Sequence, residues 1–299
     1  MSNKNRKSHR KWWLIAIGAV LLCAASAVWN RYPPATWGEP PSTRERGVLT
    51  VRFLDVGQGD CALLTVDDTA VLVDAGPTET PTLARDLLEA YGITRLDGVI
   101  FSHPHADHIG GAPALLQAVS VDTVWMPEQT VSGAFYDQTM AAIAAQSICR
   151  KTPRAGDTFA VGALRFAVLG PLDTAAEDEN DLSLCVRVDY GARSFLFCGD
   201  MTEKAEQTLL QLDTGLHADV LKVAHHGSGA SSSREFLEAV SPQTAVVSCG
   251  RYNDYGHPHS SALTRLAAVG ATVYRTDTQG TVTVTTDGDT LSVFCEKRE

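Results

Sequence analysis

Basic residues are scarce in most of this 299-residue sequence. Residues 51–299 contain 17 Lys or Arg against 33 Asp or Glu, a net charge of −16, whereas residues 1–50 contain eight against two, a net charge of +6. Proteins that bind duplex DNA tightly and without sequence preference normally present a basic surface. The acidic charge of residues 51–299 disfavours that class, but it is compatible with a nuclease that needs only brief contacts.

Long apolar runs, internal repeats and low-complexity tracts are missing after residue 30. One apolar run of 18 residues, from Trp12 to Trp29, follows the basic residues of positions 4–11. This length is the lower limit for a membrane-spanning helix, and a basic flank keeps the N-terminus in the cytoplasm. We therefore predict one transmembrane helix within residues 1–30, with the remaining chain outside the cytoplasm. The alternative is a cleaved signal peptide, suggested by Ala25-Ser26-Ala27, which would give a secreted protein.

The rest of the chain divides into a linker and one domain. Residues 31–47 contain four prolines among several charges, which predicts an extended linker. Between Val48 and Arg275, short β-branched runs alternate with helical patterns, which predicts a mixed α/β domain over residues 48–299. The seven cysteines have long, irregular spacings, so buried free thiols are expected in preference to a disulfide framework.

A group of metal-ligand residue types follows the strand-like run that ends at Ser102. His103, His105, Asp107 and His108 form an H-x-H-x-D-H pattern. Imidazole and carboxylate groups suit zinc and similar divalent metals. Alternate residues of an extended chain point the same way, so His103 and His105 can bind one ion, and Asp107 and His108 a second. A surface histidine cluster without metal is the alternative, which the rarity of a chance match at four positions disfavours.

Two further strand-like runs end in residues of the same types. The run at 195–198 leads into Gly199-Asp200, where the Asp200 carboxylate could bridge two cations. The run at 221–224 leads into His225 and His226. Neighbouring residues on a strand point opposite ways, so the pattern leaves open which of the two histidines is a ligand.

The catalytic assignments follow from the chemistry of paired cations. Two bound cations lower the pKa of a water molecule and polarise a phosphoryl or carbonyl oxygen. Asp107 or Asp200 can orient that nucleophile. His257, between Gly256 and Pro258, is predicted to bind the substrate oxyanion or to protonate the leaving group, with a plain turn residue as the alternative.

These residues resemble the metallo-β-lactamase domain of ComEC-type competence proteins. The resemblance rests on residues 53–60, 73–76, 102–111, 199–200, 224–228 and 255–259, in that order, and covers nearly all of residues 48–299. It implies an αβ/βα four-layer sandwich with its metal site at the lip between two mixed sheets. It also implies two divalent ions, zinc in preference to manganese, bound by His103, His105, Asp107, His108, Asp200 and one of His225 and His226.

Three positions refine the implied site. Asp74 resembles a buried acid that orients the histidine-rich loop, as metal ligands generally require. Many related hydrolases carry a further histidine where this chain has Asn180, so one metal position is short of a strong protein ligand. Many ComEC-like members carry Asp where His105 stands, which brings this site closer to the zinc-type pattern.

Three classes of function are compatible with these features. The first is a phosphodiesterase that acts on DNA, single strands in preference to duplexes, on the outer side of the membrane. The second is an extracytoplasmic hydrolase of another ester, either a choline-phosphate ester or a lactone. The third is a non-catalytic DNA-binding component of an uptake machine, which the ligand set and the acidic charge disfavour. The sequence indicates no protein partner, and DNA transport by this chain alone is not expected.

Overall fold

The computed structural model describes residues 36–37, 45–129, 131–211 and 215–296. The predicted transmembrane helix and most of the predicted linker lie outside these residues. Within the described ranges, no helix combines the length and the apolar character needed to cross a membrane.

The larger sheet contains strands from both ends of the chain. In spatial order its nine strands are β1 (Thr36–Trp37), β18 (Leu291–Cys295), β17 (Val282–Thr286), β2 (Leu49–Phe53), β3 (Ala62–Val66), β4 (Thr69–Val73), β6 (Gly98–Ile100), β8 (Thr123–Trp125) and β9 (Cys149–Lys151). Pairing is antiparallel from β18 to β4 and parallel from β4 to β9. The sheet is therefore mixed, with its main parallel part on one side and a short parallel pair, β1 with β18, at the opposite edge.

The second sheet follows chain order. Its seven strands are β10 (Thr158–Val161), β11 (Leu164–Gly170), β12 (Cys185–Tyr190), β13 (Arg193–Phe197), β14 (Val220–Lys222), β15 (Thr244–Val247) and β16 (Thr272–Arg275). Pairing is antiparallel up to β13 and parallel from β13 to β16. A separate two-stranded ribbon pairs β5 (Arg95–Leu96) with β7 (Ser120–Val121).

Helices cover the outer face of each sheet. An apolar cluster joins the first sheet to α1 (Leu83–Ala90), α2 (Ala106–Ile109), α3 (Ala112–Ala118) and α4 (Ala134–Ala145). Another joins the second sheet to α5 (Glu203–Leu210), α6 (Arg234–Val240) and α7 (Ser260–Ala268), and a short helix, α8 (Thr276–Gln279), follows β16.

A third apolar cluster lies between the two sheets and draws on both. Phe53, Leu64 and Val71 from the first sheet meet Phe166 and Phe195 from the second. The order of layers is helices, sheet, sheet, helices, which confirms the predicted four-layer αβ/βα sandwich. Such stacking arises because each sheet carries apolar side chains on both of its faces, and both faces must be covered.

Candidate metal centre

Four strand ends bring polar residues to one edge of the sandwich. Asp74 follows β4 and His103 follows β6, two parallel neighbours, while Asp200 and His226 follow the parallel neighbours β13 and β14. The Leu184 amide donates to the Ser102 carbonyl oxygen at 2.8 Å, which ties the edges of the two sheets together. Residues far apart in sequence therefore meet at the lip between the sheets.

The backbone at this edge adopts the left-handed conformation at several non-glycine residues. Asp74, His225 and His226 have φ angles of 59°, 50° and 53°. Such angles are uncommon for residues with a Cβ and tend to cluster at functional sites. Strand β14 ends at Lys222, so the two histidines lie in a turn and the alternation expected of a strand does not apply to them.

Gly199 is required where the second sheet approaches the first. Its φ angle is 54°, and a Cβ added there would lie 2.8 Å from the Ser102 Cβ and 2.9 Å from the Ser183 Cβ. These distances are too short for real carbon contacts. A side chain at this position would push Asp200 away from the histidine-rich loop.

Asp107, His108, Asp200 and His226 form a compact group, called here the four-residue cluster. One ligand atom from each lies within 4.8 Å of all the others. His108 Nε2 is 3.2 Å from Asp200 Oδ1, and His226 Nε2 is 3.2 Å from Asp107 Oδ2. Two imidazoles and two carboxylates converging in this way match the ligands of a divalent metal site.

The remaining ring nitrogens of the two clustered histidines have other partners. His108 Nδ1 hydrogen-bonds Asp74 Oδ2 at 2.9 Å, and His226 Nδ1 hydrogen-bonds the Ser248 carbonyl oxygen at 2.9 Å. A carboxylate or carbonyl on the far nitrogen is the usual support of a metal-binding histidine. His108 Nε2 and Asp200 Oδ1 are buried and make no hydrogen bond. Buried polar atoms rarely go without a partner, so the cluster fits a bound cation.

Electrostatics at the cluster also favour positive charge. Burial lowers the pKa of His108, but Asp200, Asp74 and Asp107 together hold it well above its usual range. Burial raises the pKa of Asp200, yet His226 and His108 outweigh that effect and lower it. The ionised Asp200 carboxylate would therefore stabilise a cation bound at the cluster.

Three predicted residues lie beside this cluster. The His103 ring is buried, 4.1 Å from the His108 ring, and its Nε2 has no hydrogen-bond partner. His105 Nε2 pairs with Glu179 Oε2 at 2.9 Å, which holds this imidazole outside the four-residue cluster. Asn180 lines the adjoining cleft, and its Oδ1 is buried without a partner.

The predicted supporting role of Asp74 has a structural counterpart. Its carboxylate accepts hydrogen bonds from the Ser102 amide at 2.7 Å and from Ser102 Oγ at 2.8 Å, besides its contact with His108. Burial raises the pKa of Asp74, although His108 opposes the shift. Asp74 thereby links the histidine-rich loop to the end of β4.

Two buried charged residues of the site were not singled out from the sequence. Lys222 Nζ lies 2.6 Å from Asp60 Oδ2, and Asp60 Oδ1 lies 3.2 Å from His226 Nδ1. Burial raises the pKa of Asp60, but Lys222 and His226 outweigh this effect and bring the pKa below its usual range. The available signal was Lys222 itself, a charged residue inside the apolar run of residues 220–224.

The cluster opens into a cleft of about 460 Å³, which His257 also lines. The His257 ring is 5.6 Å from the ring of His225 and 6.2 Å from that of His226. Burial and these two neighbours lower the pKa of His257 to about 4, so it is neutral at pH 7. A neutral imidazole can donate one N–H hydrogen bond to a substrate oxygen.

Two curated bacterial proteins are similar to this chain in sequence. The chain is 32% identical over 250 residues to ComE operon protein 3 of Bacillus subtilis (strain 168). The aligned region covers 78% of this chain and 32% of the relative. It is 33% identical over 242 residues to Competence protein ComA of Neisseria gonorrhoeae, covering 80% of this chain and 33% of the relative. The chain therefore spans about a third of the length of these relatives.

A solved structure and a family profile agree with this likeness. The metallo-beta-lactamase fold protein YhfI of Bacillus subtilis superposes with a TM-score of 0.54 at 15% identity, over 76% of this chain and 95% of that one. At such identity the likeness shows the fold alone. Residues 54–251 match the profile of the Metallo-beta-lactamase superfamily. The chain thus belongs to the metallo-beta-lactamase superfamily and has the fold of its metal-dependent hydrolases.

Proposed function

We propose that this protein is a metal-dependent phosphodiesterase that cleaves DNA, and single strands in preference to duplexes. The observation that carries the proposal is the four-residue cluster, which brings two imidazoles and two carboxylates together at the base of an open cleft. Zinc suits this ligand set best, and manganese is the second candidate.

The ligands divide between two positions of unequal strength. Asp107, His108, Asp200 and His226 would hold one ion. His103 and His105 would hold the other together with Asp200, and this second position is short of a strong protein ligand because Asn180 stands where many related hydrolases have a histidine. Divalent ions held by these residues would lower the pKa of a water molecule and would neutralise charge that develops on phosphoryl oxygens.

The other steps belong to side chains of the cleft. Asp107, which lines the cleft, accepts a hydrogen bond from the attacking water and so orients it. His257 donates its N–H to an oxygen of the scissile phosphate. Asp74 keeps the His108 imidazole in the orientation that leaves Nε2 free.

The choice of substrate combines analogy with charge. The resemblance to competence proteins points to DNA, and paired cations favour a phosphodiester because its transition state carries more negative charge than an acyl centre. Among the described residues, no Lys or Arg lines the cleft. A duplex would find few phosphate contacts there, whereas a flexible single strand can enter and reach the ligands.

The decisive experiment compares substrates on the purified full chain loaded with Zn²⁺ or Mn²⁺. Bis-p-nitrophenyl phosphate and single-stranded DNA should be hydrolysed faster than duplex DNA of the same sequence, a choline-phosphate ester or a lactone. Hydrolysis of the ester or lactone alone would instead support the second class of function. Binding of DNA without any hydrolysis would support the non-catalytic class.

We further propose that the domain works outside the cytoplasm, held by the apolar run of residues 12–29. The proposal rests on the basic flank at positions 4–11 and on the absence of a later apolar run in the sequence. A phosphatase reporter that is active only outside the cytoplasm, fused after Glu299, should be active. A fusion that works only with a cytoplasmic reporter would contradict this topology.

A further inference from the structure

We propose that Tyr255 is a platform on which a nucleobase of the substrate stacks, beside the phosphate that reaches the four-residue cluster. The proposal rests on the proposed function and specifies the substrate as a polynucleotide with unpaired bases. Tyr255 takes no part in the hydrolysis and contributes only to substrate binding.

Exposure singles out the loop that carries Tyr255. Among the described residues, the large hydrophobic side chains that stand exposed are Tyr252 and Tyr255, at 88% and 66%. Isolated exposed apolar residues are ordinary, but these two lie three positions apart in one loop. Tyr255 lines the cleft, whereas Tyr252 is not among its lining residues.

A series of rings leads from the cluster to Tyr255. The rings of His226 and His257 are 6.2 Å apart and inclined by 30°, and those of His257 and Tyr255 are 5.6 Å apart and inclined by 20°. One face of Tyr255 therefore rests against His257. The exposed remainder of the ring is available to a base of the nucleotide next to the bound phosphate.

The loop holds Tyr255 in place before any substrate arrives. The Asn253 side chain donates to the carbonyl oxygens of Gly250 and His257, at 2.9 and 2.7 Å, and accepts from the His257 amide at 2.9 Å. The Gly250 amide donates to Gln58 Oε1 at 3.0 Å, which fastens the loop to the site. A platform ordered in advance costs little entropy on binding.

The chemistry of the cleft favours bases over phosphates as the source of affinity. No Lys or Arg among the described residues lines it, while Val131 and Phe135 add apolar surface. Stacking of bases on aromatic side chains is the usual way in which proteins hold single strands without reading their sequence. The scissile phosphate is left to the cluster and its metal ions.

The test compares two oligomers of equal length with the full metal-loaded chain: one of thymidine, the other with abasic sugars throughout. For the thymidine oligomer, Tyr255→Ala should raise KM by about 5- to 100-fold and leave kcat within about twofold. For the abasic oligomer it should change neither constant, because no base is present to stack. Tyr255→Phe should behave as the unchanged protein.

Tyr252→Ala is the matched control, because it removes an exposed tyrosine of the same loop that does not line the cleft. It should leave both KM values unchanged. A thymidine oligomer carrying 2-aminopurine gives a second measurement, since stacking quenches the fluorescence of this base. Quenching on binding should be lost in Tyr255→Ala and kept in Tyr252→Ala.

Two results would overturn the proposal in distinguishable ways. If Tyr255→Ala weakens cleavage of both oligomers equally, Tyr255 merely supports His257 and no base stacks on it, while the nuclease function stands. If the unchanged protein cleaves neither oligomer, the proposed function fails and this inference fails with it.

Discussion

His225 and His226 are adjacent in sequence but have different surroundings. His226 is buried, with Nε2 3.2 Å from Asp107, whereas the His225 side chain is 25% exposed, with Nε2 3.8 Å from Asp200. We expect His226→Ala to lower metal content and to reduce activity by at least about 100-fold. His225→Ala should keep its metal. Elemental analysis and rates on bis-p-nitrophenyl phosphate would check this, and equal metal loss in both variants would contradict it.

Asp74 has a matched counterpart away from the site, Asp219. Each carboxylate accepts from the amide and the hydroxyl of one serine, Ser102 for Asp74 and Ser194 for Asp219. Only Asp74 also contacts His108. Asp74→Asn should therefore weaken metal binding by about 10- to 100-fold. Competition with a chromogenic chelator measures this affinity.

The variant Asp219→Asn separates that effect from general damage. It disrupts a buried hydrogen-bonding carboxylate that pairs with Arg193 at 2.9 Å, so it should lower the free energy of unfolding. Its metal affinity should remain that of the unchanged protein. An equal loss of metal affinity in the two variants would mean that Asp74 acts through stability alone.

At the scale of elements, the C-terminal hairpin of β17 and β18 is the main addition to the predicted architecture. The predicted strands and helices end at Arg275, yet β17 pairs antiparallel with β2 inside the larger sheet. Val282 and Val284 are fully buried between the sheets. Val284→Ala should thus lower the free energy of unfolding by about 1.5–3 kcal/mol, as measured by urea denaturation.

Thr285→Ala is the control for this element. Thr285 is half-buried and faces the other side of the sheet from Val284. Its replacement should cost less than about 1 kcal/mol. Equal losses in the free energy of unfolding for the two variants would show that β17 stabilises the fold by its backbone pairing more than by the side chains it buries in the core.

For the whole molecule, the acidic charge makes a prediction about salt. Residues 51–299 carry a net charge of −16, and no described Lys or Arg lines the cleft. Each phosphate neutralised by a protein cation contributes about −0.7 to the slope of log affinity against log salt for single strands. We therefore expect a total slope of about −1 to −2 for a single-stranded oligomer. Fluorescence anisotropy at several salt concentrations measures it.

A steep slope would contradict this account of binding. A value beyond about −4 would mean that about six or more phosphates meet basic groups. Those groups would have to lie outside the cleft. The preference for single strands would then need another explanation than the shortage of phosphate contacts.

Much of the architecture follows from local sequence. Most strands between β2 and β16, and the residue types at their ends, are visible there, because alternation of apolar residues and turn residues is a property of neighbouring positions. The short strands β5, β7, β9 and β10 are not. The same holds for the H-x-H-x-D-H pattern, whose four residues lie within six positions. Local sequence therefore determined the mixed α/β character of the domain and the chemical character of the site, while the four-layer arrangement came from the resemblance to a known family.

Tertiary structure decided what depends on distances between remote segments. Which of the two adjacent histidines joins the cluster depends on a left-handed turn after Lys222, and the pairing of His105 with Glu179 depends on how the sheets meet. The buried Asp60–Lys222 pair and the place of the hairpin beside β2 are of the same kind. Such features remain undetermined by sequence because the direction of a side chain in a turn, and the partner of a strand, are set by packing across the whole molecule.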